Sequence, residues 1–183
     1  SQAGLKPSCL VGGEILNFGS NVLIGDPNLI VSEVDESDRS QLYFSPDLAL
    51  ITNLDAEHLD VYRDLEDIKN SFRIFIDQVK TTGSFVYCLD DPNLKAIASD
   101  AQRSGVSYGF SESADFHPKD IHLDGFRSSY VLFEKGKQVD IVRLNIPGMH
   151  NILNSLGVIA LLRTFGLEYS QFLKFLPDFK GVG

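Results

Sequence analysis

The chain has 183 residues, 43% of them hydrophobic and 22% charged, which is the make-up of one globular domain, long enough to bury a core without disulfide staples. Lys and Arg number 16 against 25 Asp and Glu, a formal net charge of −9. That argues against a nucleic-acid binder, because phosphate neutralisation needs clustered cations. The two cysteines, Cys9 and Cys88, sit in apolar runs and not at metal-ligand spacing, so reduced core thiols of a cytosolic protein are expected. The apolar stretches fall short of the roughly 20 residues of a membrane span. No signal peptide is visible, and because residue 1 is Ser rather than Met targeting stays open.

The Gly- and Asn-rich opening predicts a short strand over Ser8–Val11 followed by a loop or short hairpin. Apolar runs bounded by polar clusters then predict strands at Leu29–Val31, Leu48–Ile51, Ser84–Leu89 and Ser107–Phe110. Between them, Leu65, Ile68, Phe72, Phe75, Ile76 and Val79 recur at three- and four-residue steps and mark one helix face. A shorter helix spans Leu94–Ala101, opened by Asp91-Pro92. Short strands alternating with helices predict an α/β fold, a mostly parallel sheet flanked by helices in three layers. After Phe116 the pattern changes. Ile121–Leu123, Ser129–Glu134 and Val139–Ile146 read as strands, with Lys135-Gly136-Lys137 as the turn between the last two. This predicts a small antiparallel sheet appended to the parallel one. Pro147-Gly148 ends it, and a helix that is apolar on nearly every side begins near His150 and ends at Gly166. Ser170 caps a last helix with Phe172, Leu173 and Leu176 inward, stopped by Pro177.

Ligands of an open parallel sheet bind beyond the carboxyl ends of its strands, and two consecutive predicted strands end in acid clusters. Glu33, Asp35, Glu36 and Asp38 follow the first, and Asp55, Glu57, His58 and Asp60 the second. If the two strands are neighbours, these carboxylates crowd one sheet edge and repel unless a cation sits among them. Solvated loops and helix caps made by Asp35, Asp38 or Asp60 compete closely with that reading. Carboxylates with a single His suit manganese or zinc as well as magnesium. His150-Asn151-x-x-Asn154 stands at a helix start. There Asn amides could read a base edge and the helix end favours anions, or an Asn simply caps the helix. No P-loop is present: the Gly136-Lys137 pair is followed by Gln138 and lies in the predicted turn. His117 and His122, in the predicted strand region, read as surface or packing residues.

Glu33-Val34-Asp35-Glu36-Ser37-Asp38 resembles the E-A-D-E-S-D block of the Mur ligases that act on UDP-N-acetylmuramate. The run from Ser45 through Thr52-Asn53-Leu54-Asp55-Ala56-Glu57-His58-Leu59-Asp60 is similar to the family's next block. Cys88-Leu89-Asp90-Asp91-Pro92, Tyr108-Gly109-Phe110-Ser111, Pro147-Gly148-x-His150-Asn151-x-x-Asn154 and Phe179-x-Gly181 fit the same family in the same order, as do Leu5-x-Pro7 and Val11-Gly12-Gly13. The resemblance covers nearly the whole chain. It implies the family's three-layer central ATP-binding domain over residues 1–183. ATP and magnesium would be the cofactors, and UDP-N-acetylmuramate and L-alanine the substrates of the full-length enzyme. The implied reaction forms an acyl phosphate on the lactyl carboxylate, which the alanine amine then attacks, in the cytoplasmic synthesis of peptidoglycan precursor. Glu33 matches the family's magnesium-ligand glutamate and His58 its second-metal histidine, together the catalytic pair. His150, Asn151 and Asn154 match positions around the adenine, and Asp35, Glu36 and Ser37 would shape the substrate site. The muropeptide-recycling ligase, which adds a tripeptide, is the nearest alternative and usually carries Tyr where this chain has Ser37. A non-catalytic scaffold of the same fold is the second. The family's P-loop would lie upstream of Ser1, and its UDP-binding and amino-acid-binding domains would flank this one. The chain alone is therefore expected to be inactive and to hold ATP weakly, and exposed core surface leaves room for an oligomer.

Overall fold

The computed structural model describes residues 2–181. β1 (Pro7–Ile15), β2 (Ser20–Leu23) and β3 (Asp26–Ser32) form a three-stranded sheet of their own in the order β2-β1-β3. β1 runs antiparallel to β2 and parallel to β3. The Leu29–Val31 run, read from the sequence as one strand of the parallel series, thus pairs with β1 instead, and it is no neighbour of Leu48–Ile51. The reason lies in the connection. Parallel neighbours in one sheet are usually joined through a crossover helix, and the connection from β3 to β4, residues 33–47, carries only a 3-10 turn, Ser40–Tyr43. Among the described residues no helix covers this small sheet, and Ile30 and Val31 are exposed.

β4 (Leu48–Ile51), β5 (Ser84–Cys88), β6 (Ser104–Tyr108), β7 (Phe116–Asp124), β8 (Arg127–Glu134) and β9 (Lys137–Leu144) make one six-stranded sheet in sequence order. β4 through β7 are parallel neighbours, and β8 and β9 reverse in turn. The antiparallel strands therefore extend the main sheet, joined through the Tyr108–Phe116 pair. α1 (Leu65–Gln78) is capped by Asp64, whose carboxylate accepts from the Asp67 N–H, and buries Ile68 and Ile76. α2 (Pro92–Asp100) starts at the Asp91-Pro92 pair, with Asp91 accepting from the Asn93 and Leu94 N–H groups.

α3 (Met149–Thr164) buries Ile152, Leu156, Ile159 and Ala160, although Val158 stays 39% exposed. It packs against β4, β5, β6 and β7. Gly157 permits the close approach, since a Cβ there would stand 2.9 Å from the Tyr108 ring and 3.1 Å from Leu50. β4 and β5 put Leu50 and Val86 on that α3-facing side and Ala49 and Phe85 on the other. Phe85 and Val86 are both fully buried, which is the three-layer arrangement. The predicted last helix divides. α4 (Tyr169–Phe172) is capped by a reciprocal Glu168–Gln171 box rather than by Ser170, and a 3-10 segment, Leu173–Asp178, carries Pro177 within it. Among the described residues no helix is long and apolar enough to cross a membrane.

Candidate metal and nucleotide site

The loop after β4 is fixed before it reaches any chemistry. Leu54 is buried, its N–H donates to Asp91 Oδ2 at 2.9 Å, and its carbonyl accepts from Asn93 Nδ2 at 3.1 Å. Asp91 therefore caps α2 and staples the β4 loop with the same carboxylate. The neighbouring Asp90 accepts from the Phe110 N–H at 2.6 Å and binds the β6 loop. These two strand-end acids are committed to structure.

Beyond Leu54 the chain turns at His58, which has φ of +54°. A non-glycine residue held there costs on the order of 1–3 kcal/mol and persists only when its surroundings enforce it. Its carbonyl is held by the N–H groups of Val61 and Tyr62, both at 2.9 Å. The Tyr62 ring is buried and its hydroxyl donates to the Glu36 carbonyl at 2.8 Å. Arg39 lies 4.4 Å over that ring and donates to the Val61 carbonyl and to Asp67. The two acidic loops thus meet through these contacts, not through adjacent strands.

The result is a group of Asp35, Glu36 and His58 in which one donor atom from each lies within 4.8 Å of the others. His58 Nε2 stands 3.6 Å from Glu36 Oε1. Asp35 Oδ1 accepts from the Ser37 N–H at 2.8 Å. That bond, then the Ser37 hydroxyl and more weakly the His58 charge, hold the Asp35 carboxyl below the usual range against a small opposing effect of burial. Two carboxylates and one imidazole fit a divalent cation by donor type. Glu33 is not in this group: its Oε2 accepts from the Gly12 N–H at 2.6 Å, back on β1. Asp55, Glu57 and Asp60 are exposed outside it. Ser37 lies beside it through the turn with Asp35.

The second half of the site follows from strand direction. β4 through β7 point one way, β8 reverses and β9 reverses again. β9 thus ends at the same sheet edge as β4, and α3 begins there. Its N-cap is Gly148, not an Asn, with φ of +100°. A Cβ at that position would stand 2.8 Å from the His150 ring, so the imidazole folds over this glycine. Asn151 Nδ2 is spent on the Pro147 carbonyl at 2.7 Å. Asn154 is exposed and makes no side-chain hydrogen bond with the described residues, so its donor and acceptor both stay available. A separate open cleft of about 620 Å³ lies between Asn17, Asn145 and the Pro177–Lys180 segment. Asn17 and Asn145 there already bond the Asp178 and Pro177 carbonyls, and none of the residues above line it.

Tyr62, Arg39 and Gln41 are absent from a reading by motif, because only their burial and partners mark them. His117 is buried and stacked on Phe133, and His122 is exposed, in keeping with packing and surface roles.

The chain is 40% identical over its full 183 residues to the UDP-N-acetylmuramate–L-alanine ligase of Syntrophus aciditrophicus (strain SB), and spans 38% of that protein's length. Its structure is similar to that of the UDP-N-acetylmuramate:L-alanyl-γ-D-glutamyl-meso-diaminopimelate ligase of Neisseria meningitides. The TM-score is 0.85 at 26% identity, over 100% of this chain and 60% of that one. It is similar also to the UDP-N-acetylmuramate–alanine ligase of Thermotoga maritima, with a TM-score of 0.84 at 26% identity over 97% of this chain and 39% of that one. Residues 20–162 match the Mur ligase middle domain, and the chain belongs to the Mur ligase family.

Proposed function

We propose that this chain is the cation- and nucleotide-handling part of an ATP-dependent ligase that joins L-alanine to UDP-N-acetylmuramate, in the cytoplasmic synthesis of peptidoglycan precursor. The observation that carries the reading is the Asp35–Glu36–His58 group lying at the sheet edge where α3 begins with His150 and Asn154. The name of the Syntrophus relative supplies the substrates. In this reading the lactyl carboxylate attacks the γ-phosphorus of ATP, ADP leaves, and the acyl phosphate forms. The alanine amine then adds to the acyl carbon, loses its proton, and the tetrahedral intermediate expels phosphate. A bound magnesium ion would neutralise charge on the phosphate oxygens.

This chain's own residues have narrower tasks. His58, Glu36 and Asp35 would hold the cation, and Ser37 keeps the Asp35 carboxylate oriented and ionised through the turn between them. Glu33, which bonds the Gly12 N–H, would add a further carboxylate ligand only if that bond were released. Asn154 reads the adenine edge with its free amide. His150 lies against the base. Asn151 fixes the turn that presents both of them. With no P-loop among its own residues, the 183-residue chain alone is not expected to turn over.

The structural likeness to the Neisseria tripeptide-adding ligase supports a second reading, addition of a tripeptide to the same sugar nucleotide. Mass spectrometry of the product made by the full-length protein from ATP, magnesium, UDP-N-acetylmuramate and both acceptors in competition separates the two. An alanyl product is expected. A tripeptide product alone moves the protein to recycling, and no product from folded protein leaves only the fold.

A further inference from the structure

We propose that Tyr62 is the positioning residue of this site, the side chain that sets how far Glu36 stands from His58. The inference rests on reading Asp35, Glu36 and His58 as cation ligands. Tyr62 grips both halves of that group by their main chains. Its N–H donates to the His58 carbonyl at 2.9 Å, and its hydroxyl donates to the Glu36 carbonyl at 2.8 Å. No other described residue bonds to the main chain of both.

The grip is rigid because the ring cannot shift. Tyr62 is 1% exposed, and the Arg39 guanidinium covers one face at 4.4 Å. The phenol orientation is fixed as well. Gln41 Nε2 donates to the phenolic oxygen at 3.1 Å and to Ser71 Oγ of α1 at 2.9 Å, and both Gln41 and Ser71 are buried. Since Gln41 supplies one hydrogen to that oxygen, the phenol's own hydrogen is committed to Glu36. Deleting the hydroxyl takes one bond from the Glu36 carbonyl, which keeps the Arg39 N–H, and one from the Gln41 amide, which keeps Ser71, while the ring packing survives. The acidic loop then keeps only the Arg39 bond to the Val61 carbonyl as its tie to the His58 loop, although the Tyr62 N–H still holds His58. Tyr62 makes no hydrogen bond to the three donor atoms, so its hydrogen bonds act on a cation only through the main chains of Glu36 and His58. Groups that orient metal ligands in this way are typically worth about 10- to 100-fold in metal affinity.

The experiment is manganese affinity of the full-length protein, read by the resonance of free Mn²⁺ well below the unfolding temperature. Wild type, Tyr62→Phe and His58→Ala are compared, each with a thermal melt taken without metal. Tyr62→Phe is expected to weaken manganese binding by about tenfold or more while the protein stays folded at the assay temperature. A lowered melting point with unchanged manganese affinity makes Tyr62 a structural residue only and overturns the proposal. When His58→Ala weakens binding and Tyr62→Phe does not, the positioning role falls and the cation site stands. When His58→Ala changes nothing, the cation site itself falls, and the proposal with it. Should Tyr62→Phe not fold, Gln41→Met removes the amide that orients the phenol and is expected to weaken manganese severalfold, and unchanged affinity there is equally contrary.

Discussion

Three residues at the start of α3 carry separable tasks. Asn154 is exposed and its side chain is unbonded among the described residues, so Asn154→Ala is expected to raise the KM for ATP severalfold in the full-length protein and leave the melting temperature unchanged. Asn151 already donates to the Pro147 carbonyl. Asn151→Ala should therefore lower stability by about 1 kcal/mol, the usual net worth of one such bond, in a urea titration. Gly148 stands at φ of +100° beneath the His150 ring. In Gly148→Ala the added Cβ is strained by the backbone and meets the imidazole. A stability loss of about 1–3 kcal/mol together with a raised KM for ATP is expected, because the ring must move. A variant that melts like wild type and binds ATP equally well means that the α3 turn does not present His150 to the base. The sequence showed this cluster but not its division of labour. Asn151 and Asn154 have the same chemistry, and only the Pro147 contact tells them apart.

At the scale of elements, the site depends on two connections that join loops to helices. Asp91 caps α2 and holds the Leu54 N–H at once. Asp91→Ala removes a cap worth about 1 kcal/mol and a charge-assisted bond besides. A loss of about 2 kcal/mol is expected in chemical unfolding, with weaker manganese binding because the His58 loop is released. Asp67 makes the second connection, from α1 to Arg39 in the acidic loop. Its carboxyl is held below the usual range first by the Arg63 N–H and then by the Arg39 guanidinium. A lowered folded value means that this stabilisation is complete above the ordinary aspartate value of ~4. It is lost as the pH falls through the folded value. The stability gap between wild type and Asp67→Asn, measured by urea unfolding across pH, should thus be constant from pH ~5 upward and close below ~4. A gap independent of pH means that the carboxylate charge contributes nothing there. Element by element, periodicity located α1, α2 and α3, because each buries an apolar face with regular spacing. It misplaced β3, since Leu29–Val31 has the apolar run of a sheet strand and nothing local reveals that its partner is β1. The end of the chain was read as one helix because Leu173 and Leu176 keep helical spacing, but Pro177 tightens that turn into a 3-10 segment.

For the whole molecule, the α/β class and the change to antiparallel strands after Phe116 were legible, since alternation of runs and turns is written locally. The meeting of the two acid clusters was legible only as a condition, and the condition failed: the strands are not neighbours, yet Asp35 and Glu36 still reach His58. What joins them is a buried tyrosine with an amide and a guanidinium around it, long-range contacts that no spacing encodes. The same fold places the α3 turn at that edge, because the two reversals of β8 and β9 return the chain to it. Whether this edge handles ATP and a cation for amide-bond formation is decided by phosphate release from the full-length protein, wild type and His58→Ala. Each would be supplied with ATP, magnesium, UDP-N-acetylmuramate and either L-alanine or no acceptor. Release by wild type should require L-alanine and fall on the order of 100-fold in a folded His58→Ala, since a catalytic cation contributes several kcal/mol. Release that ignores L-alanine, or a His58 variant as active as wild type, would mean that the Asp35–Glu36–His58 group is not the cation site of an alanine-adding ligase.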